Sequence, residues 1–223
     1  MQKFDTPSPV AAVLDIPAGR IQFIAADRAD TTVEILPADK SQSRDVKAAE
    51  QTTAAYSDGV LRIEAATPKN RILGHSGSVE VTVQLPAGSR VEAKAASAEL
   101  RGVGRLGDVT FEAAEASVKL DETASARLTL QAGDVLVGRL TGSAHISTQK
   151  GALNIAEAQG GTVELRTAYG DITIGAASGT SATLDAGTAY GRIHNTLQNT
   201  AGATAGLTIQ ATTSYGDITA RSL

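Results

Sequence analysis

The stretch Thr167-Ala168-Tyr169-Gly170-Asp171-Ile172-Thr173-Ile174 returns as Thr188-Ala189-Tyr190-Gly191-Arg192-Ile193-His194 and as Thr213-Ser214-Tyr215-Gly216-Asp217-Ile218-Thr219. Weaker copies precede it at Gln131-Ala132-Gly133-Asp134-Val135-Leu136-Val137 and at Gln149-Lys150-Gly151-Ala152-Leu153-Asn154-Ile155. With the glycine as origin, Gly133, Gly151, Gly170, Gly191 and Gly216 stand 18, 19, 21 and 25 residues apart. Ala98 and Ala116 continue the series upstream at spacings of 18 and 17. Val163, Leu184 and Ile209 lie seven positions before their glycines, and Thr148, Thr167, Thr188 and Thr213 lie three before. Val135, Leu153, Ile172, Ile193 and Ile218 follow two positions after. Alternate positions are apolar on both sides of the glycine, as half-buried strands require. A glycine between two such segments supplies the positive φ of a tight corner.

A unit of about 18 residues cannot bury its apolar face alone; stacking against its neighbours does so. Helical repeats are longer, and the pattern of leucine-rich repeats is absent. The spacing therefore predicts an all-β chain, a single-stranded β-helix or β-solenoid with one repeat per coil. Residues 79–223 are expected to form the regular repeats, and residues 1–78 a β-rich leading part with a polar loop.

Equivalent side chains in neighbouring coils lie about 4.8 Å apart, so the repeat writes ladders. Tyr169, Tyr190 and Tyr215 should form an aromatic column at the corner. Taken in sequence order, Asp171, Arg192 and Asp217 alternate in sign, with the two carboxylates about 9–10 Å apart across the arginine coil. The threonines form a hydroxyl and methyl ladder that holds register. The last coil ends at Ala220-Arg221-Ser222-Leu223 and presents an open edge, to be blunted by charge or covered by a partner.

Strand-like runs are expected at residues 10–16, 20–25 and 32–36, with residues 37–51 a loop or short helix. Tyr56-Ser57-Asp58-Gly59 reads as a hairpin turn into Val60-Leu61-Arg62-Ile63-Glu64. Residues 66–77, with a proline and two glycines, read as a loop. Asp15-Ile16-Pro17-Ala18-Gly19 and Gln84-Leu85-Pro86-Ala87-Gly88 read as two instances of one corner. The insertion at residues 197–206 should project as a loop.

Composition narrows the chemistry. The formal charge of −4 and the want of a basic run give nucleic-acid binding no electrostatic footing. Cysteine is absent, which excludes thiolate chemistry and disulfides. His75, His145 and His194 share no ladder and read as surface or loop residues rather than a metal set. Asp171 and Asp217 beside Arg192 would both be held ionised, which suits a charge ladder and not a general acid. Gly102-Val103-Gly104-Arg105-Leu106-Gly107 matches a dinucleotide fingerprint only as letters and reads as a turn. No catalytic residue, metal site or cofactor is expected. The polar start of the sequence and the want of a membrane-length apolar segment predict a cytoplasmic protein with no membrane insertion.

At the Tyr-Gly-Asp-Ile-Thr phrases, and at Leu85-Pro86-Ala87-Gly88 before them, the sequence resembles the bacterial β-strand-repeat family called Toastrack. Its members carry the adhesin label, and the domain has no established function. The resemblance implies a β-solenoid, found in cell-envelope proteins and beside membrane-stress components, and brings no catalytic residues with it. Two roles are expected from the residues. One is a soluble, non-catalytic scaffold or protein-interaction module that binds a protein partner or itself through Tyr169, Tyr190, Tyr215, Asp171, Arg192 and Asp217. The alternative is a small-molecule or glycan binder, with or without enzymatic activity, that uses the solenoid face.

Overall fold

The computed structural model of the chain describes residues 1–65 and 77–223. The expected loop at 66–77, apart from Gly77, and His75 lie outside the described residues. The chain divides into two compact units, Met1–Glu115 and Ala116–Leu223. Both are built of strands, and the fold is an all-β solenoid.

The first unit holds β1 (Gln2–Asp5), β2 (Ala11–Ala26), β3 (Asp30–Pro37), α1 (Ser43–Gln51), β4 (Thr53–Ser57), β5 (Val60–Glu64), β6 (Val79–Pro86) and the first part of β7 (Arg90–Ala132). Two expected strands are one: β2 runs through Pro17-Ala18-Gly19 and bends there, with Gly19 at φ +140°. Before the bend β2 pairs in parallel with β5; after it, with β6; and β7 follows it along both halves. A Cβ on Gly19 would lie 1.8 Å from the Val79 carbonyl oxygen, so the bend admits only glycine. β4 and β5 form the expected hairpin, with Asp58 and Gly59 both at positive φ. The helix fixes its start through Asp45, a buried carboxylate that accepts the N–H groups of Asp39 and Ser78.

Two readings of this unit are corrected. The Asp15–Gly19 and Gln84–Gly88 phrases are not equivalent. The first pairs with Lys94–Ala98 in mid-strand, whereas the second ends β6, where the Ala87 N–H donates to the Ala26 carbonyl. Residues 102–107 are not a free turn. They lie inside β7, which takes a left-handed φ at Gly104, where a Cβ would meet the Ala25 carbonyl oxygen at 2.1 Å.

The second unit contains the rest of β7 and then β8 (Val135–Leu140), β9 (Ala144–Lys150), β10 (Leu153–Ala158), β11 (Gly161–Tyr169), β12 (Ile172–Ala176), β13 (Ala182–Tyr190), β14 (Ile193–Thr196), β15 (Leu207–Tyr215) and β16 (Ile218–Ser222). A coil is one strand, a glycine corner and a second strand. All stacking between these coils is parallel, and it keeps register except between β10 and β12, where the pairing shifts by one residue between Ile155 and Ala158. The corner is the unit's regular joint. Gly133, Gly151, Gly170 and Gly216 have φ between +128° and +152°. A Cβ on any of them would lie 1.7–2.1 Å from the corner carbonyl of the coil beneath. That same carbonyl accepts the next coil's threonine hydroxyl: Thr167 on Gly151 at 3.1 Å, Thr213 on Gly170 at 3.0 Å, and Thr188 on Gly216 at 3.0 Å. Gly191 shares the close approach, 1.9 Å from the Gly216 oxygen, without a positive φ.

The coils do not stack in sequence order. β15 pairs with β11 on one side and β13 on the other, and β16 lies between β12 and β14. The last coil in sequence is therefore an inner coil, and the penultimate coil, β13–β14, is the outer one. This overturns the expected open edge at Ala220–Leu223. The cause lies in the inward positions. One ladder runs Leu120, Val137, Ile155, Ile174, Ala220, Asn195. Ile155, Ile174 and Ala220 are fully buried, and Asn195 is exposed. An asparagine among these apolar groups would lose hydration without a partner, at a cost of roughly 1–3 kcal/mol. Placing its coil outermost avoids that cost. The long connection, residues 197–206, brings the chain back into the inner position, and Ser181 pins it. The Ser181 hydroxyl oxygen accepts the Thr200 and Ala201 N–H groups and also bonds to the Asn199 side chain.

Two expectations follow for urea unfolding. Gly170→Ala should lose about 2–4 kcal/mol of stability, whereas Gly187→Ala, with open space and no positive φ, should change it by less than about 0.5 kcal/mol. Ala220→Asn should cost about 1–3 kcal/mol and Asn195→Ala almost nothing, the reverse of what a sequential stack requires.

Candidate functional site

The corner places its side chains outward one residue before and one residue after the glycine. The three tyrosines do form a column, in the order Tyr169, Tyr215, Tyr190. The rings of Tyr169 and Tyr215 stack at 5.0 Å between centroids and 2° between planes, and those of Tyr215 and Tyr190 at 4.8 Å and 6°. They are 57%, 47% and 67% exposed in the order 169, 215, 190, although each is a large aromatic group. The column continues beneath Tyr169 as Lys150, a member not expected from the repeat because the aromatic residue is replaced there.

The adjoining ladder is corrected in the same way. Its order is Asp171, Asp217, Arg192, so the charges do not alternate, and the two aspartates are neighbours rather than separated by an arginine coil. Like charges can adjoin here because each carboxylate caps the coil above. Asp171 Oδ1 accepts the Asp217 N–H at 2.8 Å, and Asp217 Oδ1 accepts the Arg192 N–H at 2.8 Å. Asp134 does the same for the Ala152 N–H. Arg192 Nη2 also lies 2.9 Å from Asp217 Oδ2, with the arginine side chain 89% exposed. The Arg192 N–H first, and then its guanidinium, hold the Asp217 carboxyl below the ordinary carboxylate value. An acid so held cannot act as a proton donor near neutrality.

Ile193, next to Arg192 on the outer coil, is 46% exposed because, among the described residues, no further coil covers the strand. Sequence reading assigned it to the core because every other coil buries that position. The signal that separates it is Asn195, two residues on.

The histidines stand apart. His145 Nδ1 lies 2.7 Å from Glu164 Oε2 on the strand before the corner, while His194 lies on β14 beside Thr219. Among the described residues no group of His, Asp and Glu side chains is placed to hold a metal ion, and no helix is long and apolar enough to cross a membrane. The first unit carries an open groove of about 410 Å³ beside Ala18, Arg20, Ser78, Glu80, Ser97 and Glu99. Arg20 spans it, with Nε 3.0 Å from Glu99 and Nη1 3.2 Å from Glu80, so among the described residues that line the groove the one cation is already paired with both carboxylates.

The sequence profile described as Toastrack DUF4097 matches residues 13–221. No curated protein matches the chain. A crystal structure from Bacteroides fragilis, named as a candidate adhesin, superposes with a TM-score of 0.50 at 11% identity, over 98% of this chain and 95% of that one. A Parabacteroides distasonis structure, named as a candidate lipid-binding protein, gives 0.46 at 10% identity, with the same coverages.

The Asp217 environment predicts a pH response. A carboxyl with a lowered folded value contributes stability above its unfolded value of about 3.9, and that contribution is lost as the pH falls through the folded value. In Arg192→Ala the N–H donor remains and the guanidinium does not. The Asp217 carboxyl should then titrate higher by NMR, still short of the ordinary value, and acidification below about pH 4 should destabilise the variant less than the wild type.

Proposed function

The chain belongs to the Toastrack family, and on that premise we propose that it is a non-catalytic β-solenoid interaction module. It engages a protein partner along the ladder Tyr169, Tyr215, Tyr190, with Arg192 and Ile193 at its outer end. The observation that carries the reading is the joint exposure of three stacked tyrosines and an arginine on one corner. Tyrosine and arginine are enriched at protein interfaces, and exposed aromatic clusters on a soluble fold mark contact surfaces. Arg192 spends one guanidinium nitrogen on Asp217 and retains further donors, so the partner suited to it presents a carboxylate beside apolar groups.

Stacking disfavours the glycan reading. A sugar packs on the face of an aromatic ring; both faces of Tyr215 are covered by its neighbours, and of the outer ring, Tyr190, one face is covered by Tyr215. What the column offers along its length is ring edges and hydroxyl groups, which suit a polypeptide surface with hydrogen-bonding groups.

The test is capture from a lysate of the source organism, followed by affinity measurement with the recovered protein. Tyr190→Ser should weaken binding at least about tenfold, and Arg192→Glu similarly, with unchanged thermal unfolding. The remote surface variant Lys119→Ser should bind as wild type. Recovery of a glycan or metabolite, lost in Tyr190→Ser, would overturn the protein-partner reading, as would equal protein binding by all three variants.

A further inference from the structure

We propose that Tyr169, Tyr215 and Tyr190 form an oxidative cross-linking site, with Tyr215 as the hub that can be joined to either neighbour. The chain contains no cysteine, no tryptophan and one methionine, so the side chains that ordinarily absorb oxidants are scarce. It has four tyrosines, and three of them stand in this column. The fourth, Tyr56, packs against Phe4 at 5.8 Å, a ring with no hydroxyl group. Oxidation of tyrosine therefore falls mainly on a site where a second phenol is already in place.

The geometry favours coupling. The centroids lie 4.8 and 5.0 Å apart with planes within 6° of parallel, and each ring is substantially exposed, so a peroxidase or a diffusing oxidant can reach it. Parallel in-register strands hold Tyr215 beside Tyr169 and Tyr190 without any movement of the backbone. In the step, each of two phenols gives up one electron and one proton. The two phenoxyl radicals join through the carbons ortho to oxygen, and the hydrogen on each joined carbon moves to oxygen as the rings regain aromaticity. Hydrogen peroxide takes the two electrons and two protons and leaves as two waters. The product is dityrosine, lighter by two hydrogens than its parents.

The position gives the bond a consequence. Tyr215 belongs to the inner coil that is reached through residues 197–206, and its neighbours belong to the coils on either side. A bond from Tyr215 to Tyr169 or to Tyr190 staples that coil in place, in a chain that has no disulfide to do so.

The test treats dilute full-length protein with hydrogen peroxide and a peroxidase, reading dityrosine fluorescence, intact mass and cross-linked peptides. The expected product is monomeric, two hydrogens lighter, with Tyr215 joined to Tyr169 or Tyr190 and a raised thermal midpoint. Tyr215→Phe keeps the ring and should lower the intramolecular yield at least tenfold, because Tyr169 and Tyr190 are not adjacent. Tyr56→Phe should leave the yield unchanged. No dityrosine, cross-links only between molecules, or an undiminished yield in Tyr215→Phe would each overturn the proposal.

Discussion

The second unit depends on a carbonyl oxygen. At each corner the glycine carbonyl points into the coil above, at a place where a side chain would have to stand. The next coil can accept it only by having no Cβ there, and at Gly151, Gly170 and Gly216 it converts the intrusion into a bond by bringing a threonine hydroxyl to the same oxygen. One atom thus imposes two residue types three positions apart and repeats the demand on the following coil. A mismatch would leave a buried oxygen unpaired or a Cβ inside a carbonyl. Among the described residues no buried side-chain polar atom lacks a partner, which is what such joints achieve when the register is kept.

The joint fixes how two coils meet but is indifferent to which coils they are. The choice falls to the inward side chains. Leu207, Ile209, Ile218 and Ala220 are fully buried, as their apolar character requires. Asn195 occupies the position equivalent to Ala220 and is satisfied only at the outer end. A polar residue at an inward position of the outermost strand also discourages further strands from adding there. The outer coil is thereby shaped as an end of the stack.

The same order determines the character of the exposed corner. With Tyr215 in the middle of the column, the rings cover one another and show their edges. With Asp217 beside Asp171, the acids are occupied in capping backbone N–H groups, and the cation is left at the outer end. An internal arginine would have been neutralised on two sides. At the end it is neutralised on one, beside an exposed isoleucine and an exposed ring. The most solvent-accessible part of the ladder is thus also its most heterogeneous, which suits the contact surface proposed for it.

The Thr-x-Tyr-Gly-x-Ile phrase by itself determined the solenoid, the corner glycines, the threonine ladder and the identity of the stacked tyrosines. Each of these follows from contacts between equivalent positions of adjacent coils, and equivalent positions are visible as a period. It also carried most of the candidate site, since Tyr169, Tyr190, Tyr215, Asp171, Arg192 and Asp217 sit at fixed offsets from a glycine. The order of the coils was not in the period, because any permutation of matching coils satisfies the same local rules. Asn195 was the one clue, and it gains meaning only when set against the buried residues of every other coil. The tertiary structure alone therefore decided that Asp171 and Asp217 are neighbours, that Tyr215 lies between the other two rings, and that Ile193 faces solvent. The physical reason is that exposure belongs to a place in the stack, and the place is settled by the summed burial of whole coils rather than by any single repeat.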